Sequence, residues 1–325
     1  MNGIPHHLRR AGERALGSLH VDLDRDYRNT VFLAGSGRSG TTWLSEILNH
    51  RNEYRYIFEP FHPDKVGLCK NFRRKQYLRP GDRREEFLDP ARRILSGGIR
   101  NGWTDRFNRK LVARQRLIKD IRANLLLGWI NSNFPEMPLV MLLRHPCAVT
   151  VSRLKLGWRD ILDETMEQRD LVEDHLSPFE KEIRCARTPF ERSVFLWCIE
   201  NYVPLQQLGR DEIHLVYYEN LCTDPEREIR RLYAFLGKEV EEGAYRNVGR
   251  PSYLSRRESA VVLGERPVDS WIGSVDAAHL ERAVEILALF GLGHIYGEGP
   301  MPLSAGSPTL VEERGKKRGS PGDAG

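Results

Sequence analysis

Eight consecutive residues, Gly35-Ser36-Gly37-Arg38-Ser39-Gly40-Thr41-Thr42, combine glycine, small hydroxyls and one guanidinium. A glycine-rich turn running into a helix aims backbone N–H groups and the positive end of the helix dipole at an anion, so the string reads as a phosphate cradle. It meets most of the pattern G-x-x-x-x-G-K-[ST] through Gly35, Gly40 and Thr42, but Thr41 stands where a lysine is expected, and a cation enters earlier as Arg38. Transfer of a γ-phosphoryl group relies on that lysine and on magnesium. The cradle therefore points to a phosphorylated ligand and away from the usual triphosphate chemistry.

Further along, Arg144 follows the apolar run Leu139-Val140-Met141-Leu142-Leu143, and Ser152 comes eight residues later. An arginine leaving a strand is a bidentate donor for phosphate, and a serine on the following helix offers a hydroxyl from the same side. Glu59 closes the short run Tyr54–Phe58 just before Pro60, at the expected carboxyl end of a strand, and Lys119 closes Gln115–Lys119. Each has a plainer alternative: turn glycines, a surface arginine, an ion-paired glutamate, a salt-bridged lysine.

These residues need a frame. Val31-Phe32-Leu33-Ala34 reads as a buried strand, Thr41–Asn49 as a helix, Leu139–Leu143 as a further strand, and Ile213–Tyr218 as another. Helices are expected over Ile121–Phe134, from Pro146 to Leu156, and over Phe190–Leu208, Pro225–Leu236 and Ala277–Phe290. Alternating strands and helices predict an α/β fold of the P-loop-containing nucleotide-hydrolase-like kind, a central parallel sheet flanked by helices, with ligands outside the carboxyl ends of the strands. The expected organisation is an N-terminal extension over 1–29, one domain over 30–296 with an irregular or partly helical insertion at about 64–114, and a disordered tail over 297–325.

The 325 residues carry a net charge of +5, 40% hydrophobic and 29% charged residues. No apolar run approaches the ~20 residues of a membrane span, and Met1–Leu23 has no uninterrupted apolar stretch of a secretory signal. Five scattered cysteines form neither a C-x-x-C pair nor a metal-ligand pattern, which suits a reducing cytoplasm. Arginines and lysines crowd Lys70–Arg122, but acids are mixed in and aromatics are sparse, so a solvated face is expected rather than a nucleic-acid surface. Oligomeric state is not legible.

Gly37-Arg38-Ser39-Gly40-Thr41-Thr42-Trp43-Leu44 resembles the 5′-phosphosulfate loop of sulfotransferases dependent on 3′-phosphoadenylyl sulfate (PAPS), in the arginine-containing form of the carbohydrate and tyrosylprotein branches. Leu142–Arg153 resembles the 3′-phosphate motif of the same family. Weaker echoes are Ile118-Lys119-Asp120, Val216–Leu221 with Tyr218, and Ser259 with Arg266-Pro267-Val268. The resemblance implies a domain that takes PAPS as sulfuryl donor, with Ser36, Gly37, Arg38, Ser39, Gly40, Thr41, Thr42, Arg144, Ser152, Tyr218 and Arg266 on the nucleotide. Arg256 and Arg257 rival Arg266. A sulfuryl group carries less charge than a phosphoryl group and leaves from a bound phosphate, so Arg38 and oriented N–H donors suffice without a metal.

Tyr56-Ile57-Phe58-Glu59-Pro60-Phe61 resembles the Phe-Glu-Pro segment of carbohydrate sulfotransferases, which implies Glu59 as base, Arg38 and Lys119 as charge stabilisers, and a sugar or glycolipid acceptor. The histidine mechanism of the cytosolic phenol and steroid enzymes leaves His62 and His145 as rivals. Trp43, Trp197 and Trp271 fill the core, or one of them stacks on adenine. Two other classes stand against the sulfotransferase reading: a P-loop small-molecule kinase or nucleotide hydrolase, and a non-catalytic binding protein on the same fold.

Overall fold

The computed structural model describes residues 20–248 and 268–303. Among these, seven strands follow in chain order: β1 (Val21–Asp22), β2 (Thr30–Gly35), β3 (Arg55–Phe58), β4 (Val112–Ala113), β5 (Arg116–Asp120), β6 (Leu139–Leu143) and β7 (His214–Tyr217). β1 and β4 pair only with each other, and the remaining five form one sheet in the order β3-β5-β2-β6-β7, every pairing parallel. The carboxyl ends of all five strands therefore share one edge. The chain moves from β2 to one side and later to the other, which makes the end of β2 the topological switch point.

Both faces of the sheet are covered, as continuous apolar strands require. Phe32, Ala34, Ile57, Ile118 and Met141 enter one core with Trp129, Phe195 and Trp197. Val31, Leu33, Phe58, Leu117 and Leu142 enter the other with Leu44, Ile47 and Tyr233. The period-two split of neighbouring residues between the two cores is what a pleated strand dictates. Three helices matter for the site: α1 (Thr41–Leu48), α2 (Pro146–Lys155) and α3 (Pro189–Gln207). Pro146 and Pro189 sit in the first turns of α2 and α3, where a missing N–H costs nothing.

Two expectations need correction. The helix expected over Ile121–Phe134 starts only at Leu127, after a 3-10 turn at Asn124–Leu126. The Arg122 N–H is taken by the Asp120 carboxylate and the Ile121 carbonyl by Lys75, so these residues form a loop. Tyr218 is not the end of a strand but the first residue of the short helix Tyr218–Thr223. The stretch 64–114 is partly helical: Glu85–Leu95 buries Phe87, Leu88, Ala91, Ile94 and Leu95 against the first core. Residues 297–303, placed with the tail by sequence, form hydrogen bonds from the His145 ring to the Gly297 carbonyl and from the Leu303 N–H to the Ile295 carbonyl. The rest of that stretch, 304–325, and residues 1–19 lie outside the described residues. Among the described residues, no helix is long and apolar enough to cross a membrane.

Candidate active site

The loop between β2 and α1 is shaped by backbone conformations that few side chains allow. A Cβ on Gly35 would lie 2.7 Å from the Leu142 carbonyl oxygen of the neighbouring strand. Arg38 has φ 80 and Gly40 φ 100, two left-handed residues within three, and the Ser39 N–H between them closes a turn onto the Ser36 carbonyl at 3.0 Å. α1 then starts with no side-chain cap on its first turn. Ser39 Oγ is buried and has no hydrogen-bond partner. Uncapped helix donors, an orphaned buried hydroxyl and a nearby guanidinium together fit a phosphate of a nucleotide donor.

Arg38, Arg144, Ser152 and Tyr218 meet at this loop. Arg38 Nε donates to Ser152 Oγ at 2.9 Å. Arg144 Nη1 donates to the Arg38 carbonyl at 3.2 Å, and its guanidinium lies 4.1 Å from the centre of the Tyr218 ring. The ring also packs on Gly40, where a Cβ would come within 2.7 Å of Tyr218 Cδ2. Trp197 Nε1 donates to the Arg144 carbonyl, so this core tryptophan also fixes the end of β6. Trp43 is half-buried, edge-on to Tyr218 at 5.3 Å, while Trp271 is buried and stacked on His145. Arg266 and its rivals Arg256 and Arg257 lie outside the described residues.

Beneath the loop is a buried charge cluster that sequence reasoning missed. Glu200 of α3 takes Lys75 Nζ at 2.8 Å and Arg153 Nη2 at 2.8 Å. Arg153 Nε donates to the Gly37 carbonyl at 3.2 Å, Asn201 Nδ2 donates to Ser36 Oγ at 3.2 Å, and Lys75 Nζ also reaches the Ile121 carbonyl at 2.5 Å. Burial alone would raise the Glu200 pKa, but Arg153 and Lys75 overcome it and hold the carboxyl at about 2. The one sequence signal was a Glu-Asn pair, Glu200-Asn201, within an otherwise apolar helical stretch. Lys75 had none, since it comes from the arginine-rich insertion.

Glu59 follows β3 directly and adopts φ 43, a left-handed conformation rare for a side chain of this kind. Its N–H donates to the Lys119 carbonyl at 2.7 Å, and Trp103 Nε1 donates to its carbonyl at 3.2 Å. Lys119 Nζ, at the end of β5, donates to Oε1 at 2.7 Å, and Arg122 Nη1 donates to Oε2. Burial pushes the Glu59 carboxyl up, yet Lys119 and Arg122 outweigh it and keep the group below the ordinary carboxylate range. Asp120 beside them accepts from the Phe61 and Arg122 N–H groups at 2.8 and 2.7 Å, and burial raises its pKa to about 6.

The two rival histidines, His62 and His145, each have contacts of their own. His62 packs edge-on to Trp103 at 5.2 Å, its Nδ1 accepts from the Asp64 N–H, and burial followed by Arg122 lowers its pKa to about 4. His145 caps α2 by accepting the Cys147 N–H at Nδ1, which leaves Nε2 to donate to the Gly297 carbonyl at 3.1 Å. Both ring nitrogens are committed. The arginines of the insertion are also largely matched locally: Arg79 with Asp170, Glu173 and Asp174, Arg84 with Asp82, Arg92 with Glu85, Arg93 with Asp89. That is the arrangement of a solvated face.

Residues 30–242 match the family model described as the sulfotransferase family, well over half of the chain. The chain belongs to the sulfotransferase family. The matched stretch holds the Gly35–Thr42 loop, Glu59, Lys119, Arg144, Ser152 and Tyr218, while Arg266 falls beyond it. The nodulation protein NoeE of Sinorhizobium fredii (strain NBRC 101917 / NGR234) is 24% identical to this sulfotransferase over 285 residues, covering 79% of this chain and 63% of that protein. The chain thus spans less than two-thirds of that relative's length. Among solved structures, the sulfotransferase domain of the Synechococcus PCC 7002 olefin synthase is 16% identical, with 81% of this chain and 94% of that chain covered and a TM-score of 0.46. Mouse sulfotransferase SULT7A1, complexed with PAP, is 14% identical, with 86% and 90% covered and a TM-score of 0.45.

Proposed function

We propose that the protein transfers a sulfuryl group from PAPS to an acceptor hydroxyl of a carbohydrate or glycolipid. The observation that carries this reading is the hydrogen bond from Arg38 to Ser152, which joins the phosphate loop to the segment headed by Arg144. One nucleotide lying across that junction meets two cationic groups, as a ligand phosphorylated at both 3′ and 5′ positions requires.

Bound there, the donor supplies an activated sulfuryl group on a phosphate leaving group. Arg144 and Ser152 hold the 3′-phosphate, with Tyr218 beside them. Arg38, the first-turn N–H groups and the hydroxyls of Ser39, Thr41 and Thr42 meet the 5′-phosphate, where charge grows as the old S–O bond breaks, while the Ser36 hydroxyl ties the loop to Asn201 and Glu200 beneath it. Lys119 adds positive charge on the Glu59 side. Glu59 accepts the acceptor's proton as the new S–O bond forms. Held between two cations, it is ionised at neutral pH but weakly basic, which suits a hydroxyl that becomes acidic as the oxygen bonds to sulfur. Arg266 is retained as a further nucleotide contact. Five free cysteines support work in a reducing cytoplasm.

Calorimetry with adenosine 3′,5′-bisphosphate, and with ATP in the presence and absence of magnesium, tests the reading. Metal-independent preference for the bisphosphate is the expected result. Preference for ATP with magnesium would replace this proposal with the kinase or hydrolase alternative, and bisphosphate binding without any sulfuryl transfer would favour a non-catalytic binding protein.

A further inference from the structure

Trp158 follows Gly157, whose φ of 60 turns the chain sharply at the end of α2, and its N–H returns to the Arg153 carbonyl at 3.1 Å. The indole is 43% exposed, yet it is not a loose surface side chain. A Cβ on Gly37 would fall 2.4 Å from Trp158 Cζ3 and 2.6 Å from Cη2, so glycine at this loop position is what lets the ring lie against the loop. Ile121 Cδ1 reaches the same point at 3.3 Å, and the Arg153 guanidinium lies 6.0 Å from the centre of the indole.

Ile121 stands between Asp120 and Arg122, and Arg122 is one of the two cations that hold Glu59. The ring therefore borders the loop next to Arg38 on the flank that leads, through Ile121 and Arg122, to the proton-accepting carboxylate. Trp158 and Ile121 together give this flank of the loop an apolar wall. Single exposed aromatics are common and need no explanation. An exposed aromatic wedged onto the glycine of a catalytic loop does.

We infer that Trp158 is an acceptor-binding platform that stacks on the C–H-rich face of a sugar ring. The inference rests on the sulfuryl-transfer reading above and names the chemistry of its acceptor side. An open, half-exposed indole suits a ring that is apolar on one face and keeps its hydroxyls in water. A phenol or steroid, apolar on both faces, gains most from an enclosed cavity instead. Arg159, next to Trp158 in the chain, has a side chain 66% exposed and paired with Glu164 at 3.0 Å.

The experiment compares the wild-type chain with Trp158→Phe and Trp158→Leu, the second keeping apolar bulk without a ring. Sulfuryl transfer from PAPS is measured against cellotetraose, chitotetraose and maltotetraose, with 2-naphthol as a non-sugar acceptor, alongside calorimetry with adenosine 3′,5′-bisphosphate. For at least one tetrasaccharide, Trp158→Leu raises KM by about tenfold and Trp158→Phe by less than about threefold, with bisphosphate affinity held within about twofold in both. An unchanged tetrasaccharide KM in Trp158→Leu overturns the inference, as does a parallel loss of bisphosphate affinity, which would make the ring a prop for the loop. A wild-type chain that binds the bisphosphate but sulfates no tetrasaccharide also overturns it, with or without turnover of 2-naphthol. A wild-type chain that fails to bind the bisphosphate sinks the donor reading itself, a result separable from all of these.

Discussion

Around Gly35–Thr42 the chain is shaped by two left-handed residues and leads into a helix with no side-chain cap, whereas the Glu59 carboxylate is held by side chains from the end of β5 and the loop after it, with Trp103 of the insertion on its backbone carbonyl. The first region is specified by a short contiguous string, since the chain folds locally into a turn and a helix start. The second exists only once strands distant in sequence have paired, because β5 brings Lys119 beside Glu59 through its parallel pairing with β3. A backbone cradle tolerates any ligand with the right phosphates. A side-chain cage has to be tuned for one hydroxyl.

The contrast breaks most sharply at Glu59. Glu59→Gln keeps the shape and removes the proton acceptor, so kcat should fall by about 10²–10⁴-fold, with bisphosphate affinity unchanged by calorimetry. Equal losses of both would mean that the two regions are not separate. Next in size is Lys75→Met, which leaves buried Glu200 with Arg153 alone; a stability loss of about 3 kcal/mol in urea unfolding is expected. Adding Glu200→Gln should recover part of it, whereas an additive loss would show that Lys75 acts elsewhere.

Arg144→Ala should weaken adenosine 3′,5′-bisphosphate by about 1.5–3 kcal/mol and leave adenosine 5′-monophosphate nearly untouched. A uniform loss for both ligands would remove Arg144 from the 3′ side. The pH dependence sharpens the same comparison. Because the folded-state pKa of Glu59 is depressed, its ionised form persists above the ordinary carboxylate value and is lost only as pH falls through the lower folded value. No limb of the rate profile is therefore expected from His62, which is held at about 4; a limb near 6 that persists in His62→Asn belongs to Asp120, which is raised to about 6. A limb near 6.5 that vanishes in His62→Asn would move the base to His62. The smallest effect belongs to the outer arginines: Arg92→Ala should change stability by less than about 0.5 kcal/mol, since its pairing with Glu85 is solvent-exposed.

The same contrast explains what could be read in advance. Strands such as Leu139–Leu143 and the loop after Ala34 are local patterns, and the structure places them where their apolar runs and glycines indicate. Glu59 and Lys119 were legible as strand-end residues, but their pairing was not, because strand order is a property of the whole sheet. Arg122 and Trp103 on either side of Glu59 carried no motif. Trp158 looked like one aromatic among many, and only its contact with Gly37 gives it a place. The helix expected from Ile121 failed for the same reason: Asp120 and Lys75 hold the first residues of that stretch through contacts that periodicity cannot see.

Lys75 also limits how the protein can be re-engineered. It belongs by sequence to the stretch that flanks Glu59, adopts φ 53, and ends buried against Glu200 under the Gly35–Thr42 loop. Transplanting the whole of 64–114 from a relative would replace one of the two counter-ions of buried Glu200 along with the rest of the segment. A graft confined to 79–114 leaves that anchor in place, so the exchangeable cassette is shorter than the insertion that contains it.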